Sequence, residues 1–441
     1  MAPKPVVIVG GSLSGLMHGV QLKRLGRDVI ILEQDPAADR SSHHAGVAFQ
    51  QSLREFLRRY DDTGVVASIP AHVYAVAHRF GLDRSWPADR HASNWTLLYR
   101  ILRANFDGLV SPACPVPPPP RKTDGKAEYR AANVFIALWY HQPRDLVVVY
   151  YVDGDTGKEA SLETGLVIGA DGSRSAVRNH VGATVERQYS GYVAWRATLP
   201  EKDVSVATRD YFTDRLCTNM VSGPSMAICY IIPTGDGHTA EGERLFNIVW
   251  YYNVPQDSPE MAAIFRDARG TLRHNTVPAR FVRPEAWERY RAEGAAQLRA
   301  PFAELIAKTH EPFLTKIGDS RCTDGPVFCA GRVLLVGDAL TALRPHTGFG
   351  AEMAAYQCNL LGEVLRGERS LASWASDVQN MADKASRLSV AVGLFGLGSW
   401  YQFLRALTSL FLFWFADRKP DRKTPSAGSG GERKSGRGSK E

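Results

Sequence analysis

The first segment of the sequence that could do chemistry is a glycine-rich turn near the N-terminus. Val6–Val9 is a run of β-branched residues, and Gly10, Ser12 and Gly15 follow it at the spacing G-x-G-x-x-G. In such a turn the first glycine permits a tight bend, the third permits close packing of helix on strand, and the N–H groups of the helix N-terminus bind a diphosphate. Ser12 departs from the pattern, because its β-carbon narrows the approach of the phosphate while its hydroxyl offers a hydrogen bond.

Glu33 adds an acceptor at the next position where a dinucleotide needs one. It ends a second apolar run at residues 29–32, after a stretch at residues 13–25 with apolar residues at helical spacing. A carboxylate in this place accepts a hydrogen bond from a ribose hydroxyl. The strand, turn, helix and Glu33 together predict a βαβ unit that binds a dinucleotide, without distinguishing NAD from FAD.

Two later segments repeat the same combination of strand, glycine and helix. Asp171 and Gly172 follow a predicted strand and precede a helix with two arginines. Gly337 and Asp338 follow another apolar run, and residues 344–350 (RPHTGFG) then lead into a further helix. Three such units, far apart in the chain, predict a nucleotide site that is assembled from distant segments.

The elements that must position these residues are also visible as apolar runs. A proline-rich stretch at residues 108–125 predicts an extended surface loop, because proline fixes φ and lacks a backbone donor. Predicted strands lie at residues 147–152, 166–168, 226–232, 246–252 and 333–336.

Length and charge limit the classes of protein to consider. The 441 residues are 44% apolar, which suits two or three folded domains. The net charge is +7, but residues 417–441 hold eight Lys/Arg against four Asp/Glu and are rich in Gly, Ser and Pro, which predicts a disordered tail. Because the remaining body is nearly neutral and shows no basic stripe with aromatics, we expect no nucleic-acid partner.

Cysteine and histidine usage indicates neither a disulfide framework nor a metal site. The six cysteines form no CxxC pair, which favours a reducing compartment such as the cytoplasm. The twelve histidines are scattered, and the pair His43 and His44 lies in a predicted loop without acidic partners at ligand spacing, so no metal is expected.

The C-terminal region admits two interpretations. Residues 390–416 contain a single charge, Arg405, and precede the basic tail, so this segment could contact or span a membrane with the tail on the cytoplasmic side. Alternatively it is a closing helix that packs on the body, with Gly393, Gly396 and Gly398 in a turn before it. Association with a membrane through residues 390–416 therefore stays open.

Taken together, these motifs resemble the class A flavoprotein monooxygenases, the aromatic hydroxylases of the p-hydroxybenzoate hydroxylase fold, over about residues 5–385. The resemblance implies an α/β fold, in which a Rossmann-like FAD-binding domain of the GR2 type carries an inserted β-rich substrate domain and C-terminal helices. The implied boundaries are 1–185 and 301–385 for the two parts of the FAD-binding domain, 186–300 for the substrate domain, 386–416 for an apolar helix and 417–441 for the tail.

The same resemblance implies roles for individual residues. Glu33 would bind the adenosine ribose, Asp171 and Gly172 would serve both FAD and the reduced nicotinamide, and Asp338 the ribityl or diphosphate region. The helix from Ala351 would direct its positive end towards the flavin, and either Arg100 or Arg103 would touch FAD. The complete predicted cofactor set is Gly10, Ser12, Gly15, Glu33, Gly46, Arg100, Arg103, Asp171, Gly172, Gly337, Asp338, Pro345, Gly348, Gly350 and Ala351.

Two positions depart from the family pattern. Glu352 stands where the family commonly has asparagine, and Gln357 stands where a carboxylate is common. We therefore expect the hydrogen bonds at the flavin edge to differ from those of the family.

The implied reaction is hydroxylation of a phenolic or hydroxylated heteroaromatic compound by FAD, O2 and either NADPH or NADH, through a flavin C4a-hydroperoxide. A base that ionises the substrate's hydroxyl would make its ring more nucleophilic, and His346, Arg196 and Tyr230 are the candidates. Each has a structural alternative: His346 could cap the loop, Arg196 could be an ion-pair partner, and Tyr230 could be a half-buried aromatic residue of a strand. Alternatives for the whole chain are an epoxidase, halogenase or reductase on the same scaffold, or a catalytically silent FAD-binding or membrane-associated scaffold.

Overall fold

The computed structural model describes residues 4–37, 39–40, 45–78, 83–221 and 225–417. His43, His44 and the basic tail beyond residue 417 lie outside these ranges. Strands and helices are numbered along the chain.

A six-stranded, mainly parallel sheet carries the N-terminal turn. Its strand order is β17-β18-β10-β1-β2-β6, and only the edge pair β17–β18 is antiparallel. All residues of β1 and β2 are buried, as expected when helices cover both faces of a parallel sheet. The strands are β1 (Val6–Val9), β2 (Val29–Leu32), β6 (Ala127–Arg130), β10 (Val167–Gly169), β17 (Val327–Phe328) and β18 (Val333–Leu335).

A second, larger sheet contains ten strands. Its order is β15-β16-β11-β14-β13-β12-β4-β5-β3, with β19 paired to β16. The strands are β3 (Gly46–Phe49), β4 (Ile69–His78), β5 (Arg84–Asn94), β11 (Val185–Pro200), β12 (Arg215–Met220), β13 (Ser225–Ile232), β14 (Leu245–Asn253), β15 (Thr276–Val277), β16 (Phe313–Cys322) and β19 (Thr341–Ala342). The sheet thus takes strands from residues 46–94 as well as from residues beyond 185.

A small antiparallel sheet and the helices complete the described chain. The small sheet contains β7 (Val134–His141), β8 (Leu146–Val152) and β9 (Glu159–Thr164). The helices are α1 (Leu13–Arg24), α2 (Gln51–Tyr60), α3 (Trp95–Asp107), α4 (Ala176–His180), α5 (Val206–Phe212), α6 (Pro259–Phe265), α7 (Pro284–Gln297), α8 (Ala300–Ala307), α9 (Phe349–Leu365), α10 (Leu371–Leu397) and α11 (Trp400–Asp417).

The α/β fold and all five later strands predicted from the apolar runs are confirmed, with ends that differ by at most one residue. Residues 108–125 contain neither helix nor strand, as their prolines predict.

The C-terminal prediction was wrong in one respect. Gly393 and Gly396 lie inside α10 rather than in a turn, and only Gly398 lies between α10 and α11. The reason is packing, because these two glycines let α10 approach the larger sheet closely. The implied boundary at residue 385 falls inside the same helix. Among the described residues, no helix has the length and hydropathy needed to cross a bilayer.

Candidate active site

The turn between β1 and α1 can hold a diphosphate. Gly10 has a φ of 101°, and a β-carbon there would lie 2.5 Å from the Ala170 carbonyl oxygen. A β-carbon at Gly15 would lie 1.9 Å from the carbonyl oxygen of Gly10, so both positions require glycine. Ser12 is the N-cap of α1, but its side chain makes no capping hydrogen bond and the first turn contains no acidic residue. The N–H groups of this helix end therefore have no side-chain acceptor among the described residues, which suits an anionic ligand.

Glu33 is connected to this turn by the backbone. Its buried carboxylate accepts hydrogen bonds from the N–H of Gly11 at 2.7 Å and of Asp35 at 2.8 Å. Tyr129 of β6, a residue that the sequence analysis did not identify, donates its hydroxyl to the Gly11 carbonyl at 3.1 Å. Glu33 therefore holds the shape of the turn, and its contact with a ribose remains a prediction.

A cavity of about 950 Å³ lies between the two large sheets. All three predicted catalytic residues line it, and they come from different elements: Arg196 from β11, Tyr230 from β13 and His346 from the loop before α9. The predicted cofactor residues that line it are Ser12, Gly46, Gly172, Gly337, Asp338, Pro345, Gly348, Gly350 and Ala351. The predicted residues outside its lining are Gly10, Gly15, Glu33, Arg100, Arg103 and Asp171.

The two Asp–Gly segments meet at one end of this cavity, but their carboxylates differ. Asp171 accepts from the N–H of Ala176 at 2.7 Å and so caps α4, and burial raises the pKa of its carboxyl. Asp338 has no hydrogen-bond partner among the described residues, and its exposed side chain lines the cavity. The surrounding protein desolvates it and raises its pKa to about 6. Asp338 is therefore the carboxylate that is free to bind a ligand.

The residues that depart from the family pattern have structural partners. Glu352 is buried and accepts from the N–H groups of Gln50, Ser52 and Leu53, so it caps α2. Gln357 is also buried, and its Oε1 accepts from the N–H of Gly337 at 2.6 Å. Both side chains fix backbone at the wall of the cavity.

The N-terminus of α9 opens onto the same cavity. Gly348 has a φ of 67° and caps the helix without a side-chain hydrogen bond, and Gly350 and Ala351 in its first turn line the cavity. Because Glu352 directs its carboxylate to α2, the positive end of α9 stays available to negative charge in the cavity.

Neither arginine of α3 lines the cavity. Arg100 pairs with Asp39 at 2.6 Å and with Asp236 at 2.5 Å. Arg103 pairs with Asp107 and lies 3.6 Å from the centre of the Tyr129 ring, beside the β1–α1 turn. The choice between the two as an FAD contact stays open.

The other end of the cavity is apolar and aromatic. It is formed by Tyr74, Trp86, Leu216, Ile228, Tyr230, Val249, Tyr251 and, from α10, Leu388 and Val392. Arg196 lies in this wall, its guanidinium 5.4 Å from the Phe313 ring centre, and no carboxylate pairs with it among the described residues. Its buried Nε also has no acceptor there. Burial raises the pKa of Tyr230 to about 12, so this phenol is neutral near pH 7.

His346 is buried beside two tyrosines. Its Nε2 lies 2.7 Å from the hydroxyl of Tyr192, and its ring centre lies 4.4 Å from that of Tyr251. Burial, together with the Arg344 charge, lowers the pKa of His346 to about 3, which makes it a weak base. The sequence analysis did not identify Tyr192 as a site residue, although it precedes Arg196 by four positions on the same strand and so shares its face.

These features fit FAD, because the cavity holds the free carboxylate of Asp338 and the N-terminus of α9, and Ser12 joins it to the glycine turn that can hold a diphosphate. The cavity's apolar end has room for an aromatic ring next to that cofactor.

Comparisons with known proteins agree with this geometry. A family model described as FAD binding domain-like matches residues 189–319. The chain is 30% identical over 380 residues to 2,6-dihydroxypyridine 3-monooxygenase of Paenarthrobacter nicotinovorans, covering 84% of this chain and 85% of that protein. It is 25% identical over 405 residues to 6-hydroxynicotinate 3-monooxygenase of Bordetella bronchiseptica, covering 88% and 90%.

Solved structures show the same fold. The structure of 2,6-dihydroxypyridine-3-hydroxylase from Arthrobacter nicotinovorans matches with a TM-score of 0.73 and 25% identity, covering 90% of this chain and 94% of that chain. The structure of Klebsiella pneumoniae HpxO with FAD and uric acid matches with a TM-score of 0.64 and 18% identity, covering 92% of each chain.

Proposed function

This chain belongs to the FAD-dependent monooxygenases, and from that premise we propose that it hydroxylates a small, hydroxylated nitrogen-containing aromatic ring, with reduced nicotinamide dinucleotide and O2 as co-substrates. Two relatives are named for a dihydroxypyridine and a hydroxynicotinate, which are rings of this class. When bound, FAD supplies hydride acceptance and oxygen activation.

The observation that carries this proposal is the guanidinium of Arg196, which lies in a mainly apolar and aromatic wall and has no carboxylate partner in the part of the chain that the structure describes. A partly buried cation without a carboxylate beside it favours an anionic partner. A hydroxyl on a pyridine-type ring can ionise, and Arg196 would bind the resulting oxygen anion. Loss of this proton makes the ring electron-rich, so the residue that stabilises the anion also prepares the ring for hydroxylation.

The neutral phenols of Tyr230 and Tyr251 flank this position. Both tyrosines are buried, and burial raises the pKa of each hydroxyl. They can donate hydrogen bonds to a substrate oxygen without introducing a second charge. Leu388 and Val392 of α10 cover the ring and keep water from the reacting centre.

For the cofactor, we propose that Gly10, Ser12 and Gly15 surround the diphosphate, with Glu33 at the adenosine ribose and Asp338 at the ribityl chain. The N-terminus of α9 would then stabilise negative charge on the reduced ring.

The test is product analysis with the purified protein and labelled oxygen. We expect a flavin absorbance spectrum, oxidation of NADPH or NADH that hydroxypyridines accelerate, and one 18O atom from O2 in the product. Flavin that is never reduced would favour a silent scaffold. Nicotinamide oxidation without labelled product would favour a reductase, an epoxide product would favour an epoxidase, and a halogenated product would favour a halogenase.

Arg196→Met should lower kcat/KM about 10- to 100-fold, because a hydrogen bond to a charged group contributes about 1.5–3 kcal/mol. The matched control is Arg215→Met, since Arg215 is an exposed residue of β12 that does not line the cavity. Equal losses in the two variants would contradict the role of Arg196.

We propose in addition that α11 contacts an anionic lipid surface. One side of this helix packs on α10, while its other side exposes a connected apolar face of Trp400, Tyr401, Leu404, Phe411 and Leu412. Trp400 and Tyr401 are 67% and 74% exposed, and tryptophan and tyrosine are enriched at membrane interfaces. Residues 418–441, which follow directly, contain eight Lys/Arg against three Asp/Glu. An apolar face beside basic residues suits an anionic bilayer surface.

Sedimentation with vesicles tests this contact. The full chain should sediment with phosphatidylcholine vesicles that contain phosphatidylglycerol, and Trp400→Ser with Phe411→Ser should weaken binding about 10-fold or more. Leu272→Ser is the control, because Leu272 is an exposed apolar residue away from α11. Failure of the full chain to sediment with the vesicles would refute the contact. Self-association of the chain that the double variant abolishes would also refute it, because the apolar face would then bind a second copy. Cytoplasmic location remains a prediction.

A further inference from the structure

The contact between the buried side chains of His346 and Tyr192 determines which ring nitrogen of His346 bears the proton. His346 Nε2 and the Tyr192 hydroxyl are 2.7 Å apart, and both residues are buried. Gly393 of α10 packs directly over them, because a β-carbon there would lie 2.7 Å from the Tyr192 oxygen and 3.0 Å from His346 Nε2. The contact is therefore a direct hydrogen bond in a site closed by backbone.

The direction of this hydrogen bond follows from the surroundings of Tyr192. Among the described residues, the only hydrogen bond of the Tyr192 hydroxyl is the one to His346 Nε2. If Nε2 carried the proton, the buried hydroxyl of Tyr192 would have no acceptor for its own proton. The hydroxyl proton is therefore directed to His346. A phenol is also a stronger donor than a neutral imidazole, whose unprotonated nitrogen is the stronger acceptor.

If Nε2 accepts, the proton of neutral His346 must be on Nδ1, because the hydrogen bond at one ring nitrogen sets the state of the other. Nδ1 is buried and has no partner among the described residues. His346 lines the cavity in which the aromatic ring and the cofactor are proposed to meet. A buried N–H without an acceptor is costly, which points to an acceptor supplied by a ligand.

We propose that Tyr192 is a positioning residue that holds His346 as the Nδ1–H tautomer, so that His346 donates a hydrogen bond to a carbonyl or anionic oxygen of the ligands in the cavity. The tautomer is a property of the chain alone, whereas the acceptor rests on the proposed function. His346 then acts as a donor, in contrast to the base suggested by its position in the sequence.

Nitrogen NMR of the full chain tests the tautomer without any turnover. In protein labelled with 15N-histidine, the resonances of His346 are assigned by their loss in His346→Asn. We expect the shift of Nδ1 in the protonated range and that of Nε2 in the unprotonated range. Tyr192→Phe should move the two shifts towards each other as the tautomers mix. A protonated Nε2 in the unaltered protein would overturn the proposal even if Tyr192→Phe failed to fold.

Tyr189→Phe is the matched control. Tyr189 lies on the same strand and donates its hydroxyl to the Val254 carbonyl at 2.7 Å, away from His346. Its variant should leave the shifts of His346 unchanged. Spectra with FAD alone and with FAD plus 2,6-dihydroxypyridine then identify the acceptor. A change of Nδ1 on FAD addition assigns it to the flavin, a change only with the pyridine assigns it to the substrate, and no change in either sample refutes donation.

Kinetics separate a donor from a base. The side-chain amide of asparagine can place an N–H near the position of Nδ1 but cannot accept a proton. His346→Asn should therefore retain kcat within about threefold, while His346→Ala should lose about 100- to 1,000-fold, the order found when one preorganised donor is removed. Equal losses in the two variants would support a base and contradict the proposal.

Discussion

The Oε1 atom of Glu352, in the first turn of α9, accepts a hydrogen bond of 2.7 Å from the backbone N–H of Ser52 in the first turn of α2. Its other oxygen accepts from the N–H groups of Gln50 and Leu53. One buried carboxylate thus caps a helix from another part of the chain, about 300 residues away. It joins two elements at the wall of the cavity while leaving the N-terminus of α9 without a carboxylate of its own.

Removing this cap should destabilise the protein. Glu352→Ala leaves three backbone N–H groups without their acceptor, and we expect a loss of about 1–3 kcal/mol in the free energy of unfolding. Glu352→Gln keeps one acceptor oxygen and should lose less. Denaturant unfolding measures both. Glu363→Ala on the same helix removes a partly exposed pair with Arg369 and should change stability by less than about 1 kcal/mol. A loss in Glu352→Ala no larger than in this control would contradict the capping role.

Two substitutions in the glycine turn, Gly15→Ala and Ser12→Gly, should affect FAD affinity differently. Gly15→Ala places a β-carbon 1.9 Å from the Gly10 carbonyl oxygen, so α1 must move away from β1. We expect FAD affinity to fall by about 100-fold or more, since a displacement of this helix separates its N–H groups from the phosphates. Flavin fluorescence titration measures the dissociation constant.

Ser12→Gly is the informative companion to Gly15→Ala. It removes the β-carbon that narrows the phosphate approach, and the Ser12 side chain makes no capping hydrogen bond that would be lost. FAD affinity should stay within about threefold or increase. If Ser12→Gly lowered FAD affinity as strongly as Gly15→Ala, the hydroxyl of Ser12 would be required for FAD binding and the steric argument would be wrong.

The sequence predicts local units well and distant pairings poorly. The turn at Gly10, the pair at Gly337 and the strand that precedes each are set by glycine stereochemistry and by continuous apolar runs, which are local properties. In contrast, β12 pairs in parallel with β4, joining Cys217 to Ala75. Nothing local in residues 69–94 assigns them to the sheet that carries Arg196, because register between distant strands depends on tertiary packing.

The candidate site shows the same division. Arg196, Tyr230 and His346 were identifiable as polar groups in apolar or glycine-rich surroundings, and the structure places all three at one cavity. Tyr192 and Gly393 were not identifiable as partners, since their contact joins a strand to a helix 200 residues later. Glycine in a helix has no local signature of what it packs against.

Gly393 gives a steric prediction about that contact. In Gly393→Ala the added β-carbon would lie 2.7 Å from the Tyr192 oxygen, so α10 or the pair with His346 must shift. We expect the midpoint of thermal unfolding to fall and kcat to decrease about 10-fold, with FAD affinity within about threefold, because the diphosphate turn is remote from α10.

Gly396→Ala is the matched control for Gly393→Ala. Its β-carbon would meet the sulfur of Met226, which is the flexible end of a side chain and can move aside. Thermal unfolding and steady-state kinetics of the two variants form the comparison. Equal decreases in kcat would show that any thickening of α10 is harmful and that the contact with Tyr192 is not special.

The carboxyl of Asp338 predicts an unusual pH dependence of stability for the protein without FAD. Desolvation raises the pKa of Asp338 from 3.8 to about 6, so between these values the folded state binds more protons than the unfolded state. The contribution of Asp338 to the free energy of unfolding therefore falls as pH rises from about 4 to about 6. Burial lowers the pKa of His18 to about 4 and of His346 to about 3. The contribution of these two histidines to the free energy of unfolding therefore rises with pH over a similar pH range.

Comparison with Asp338→Asn isolates the carboxyl, because both histidines are present in the two proteins. Above about pH 6 the variant should unfold at a higher temperature than the unaltered protein, since it carries no desolvated charge. Below about pH 4 the difference should vanish, because Asp338 is then protonated in both folded and unfolded states. The same substitution should weaken FAD binding, because a binding site is often kept at a cost in stability of the unliganded protein. Thermal scans from pH 4 to pH 8 measure the difference, and a constant offset across that range would show that Asp338 is not desolvated.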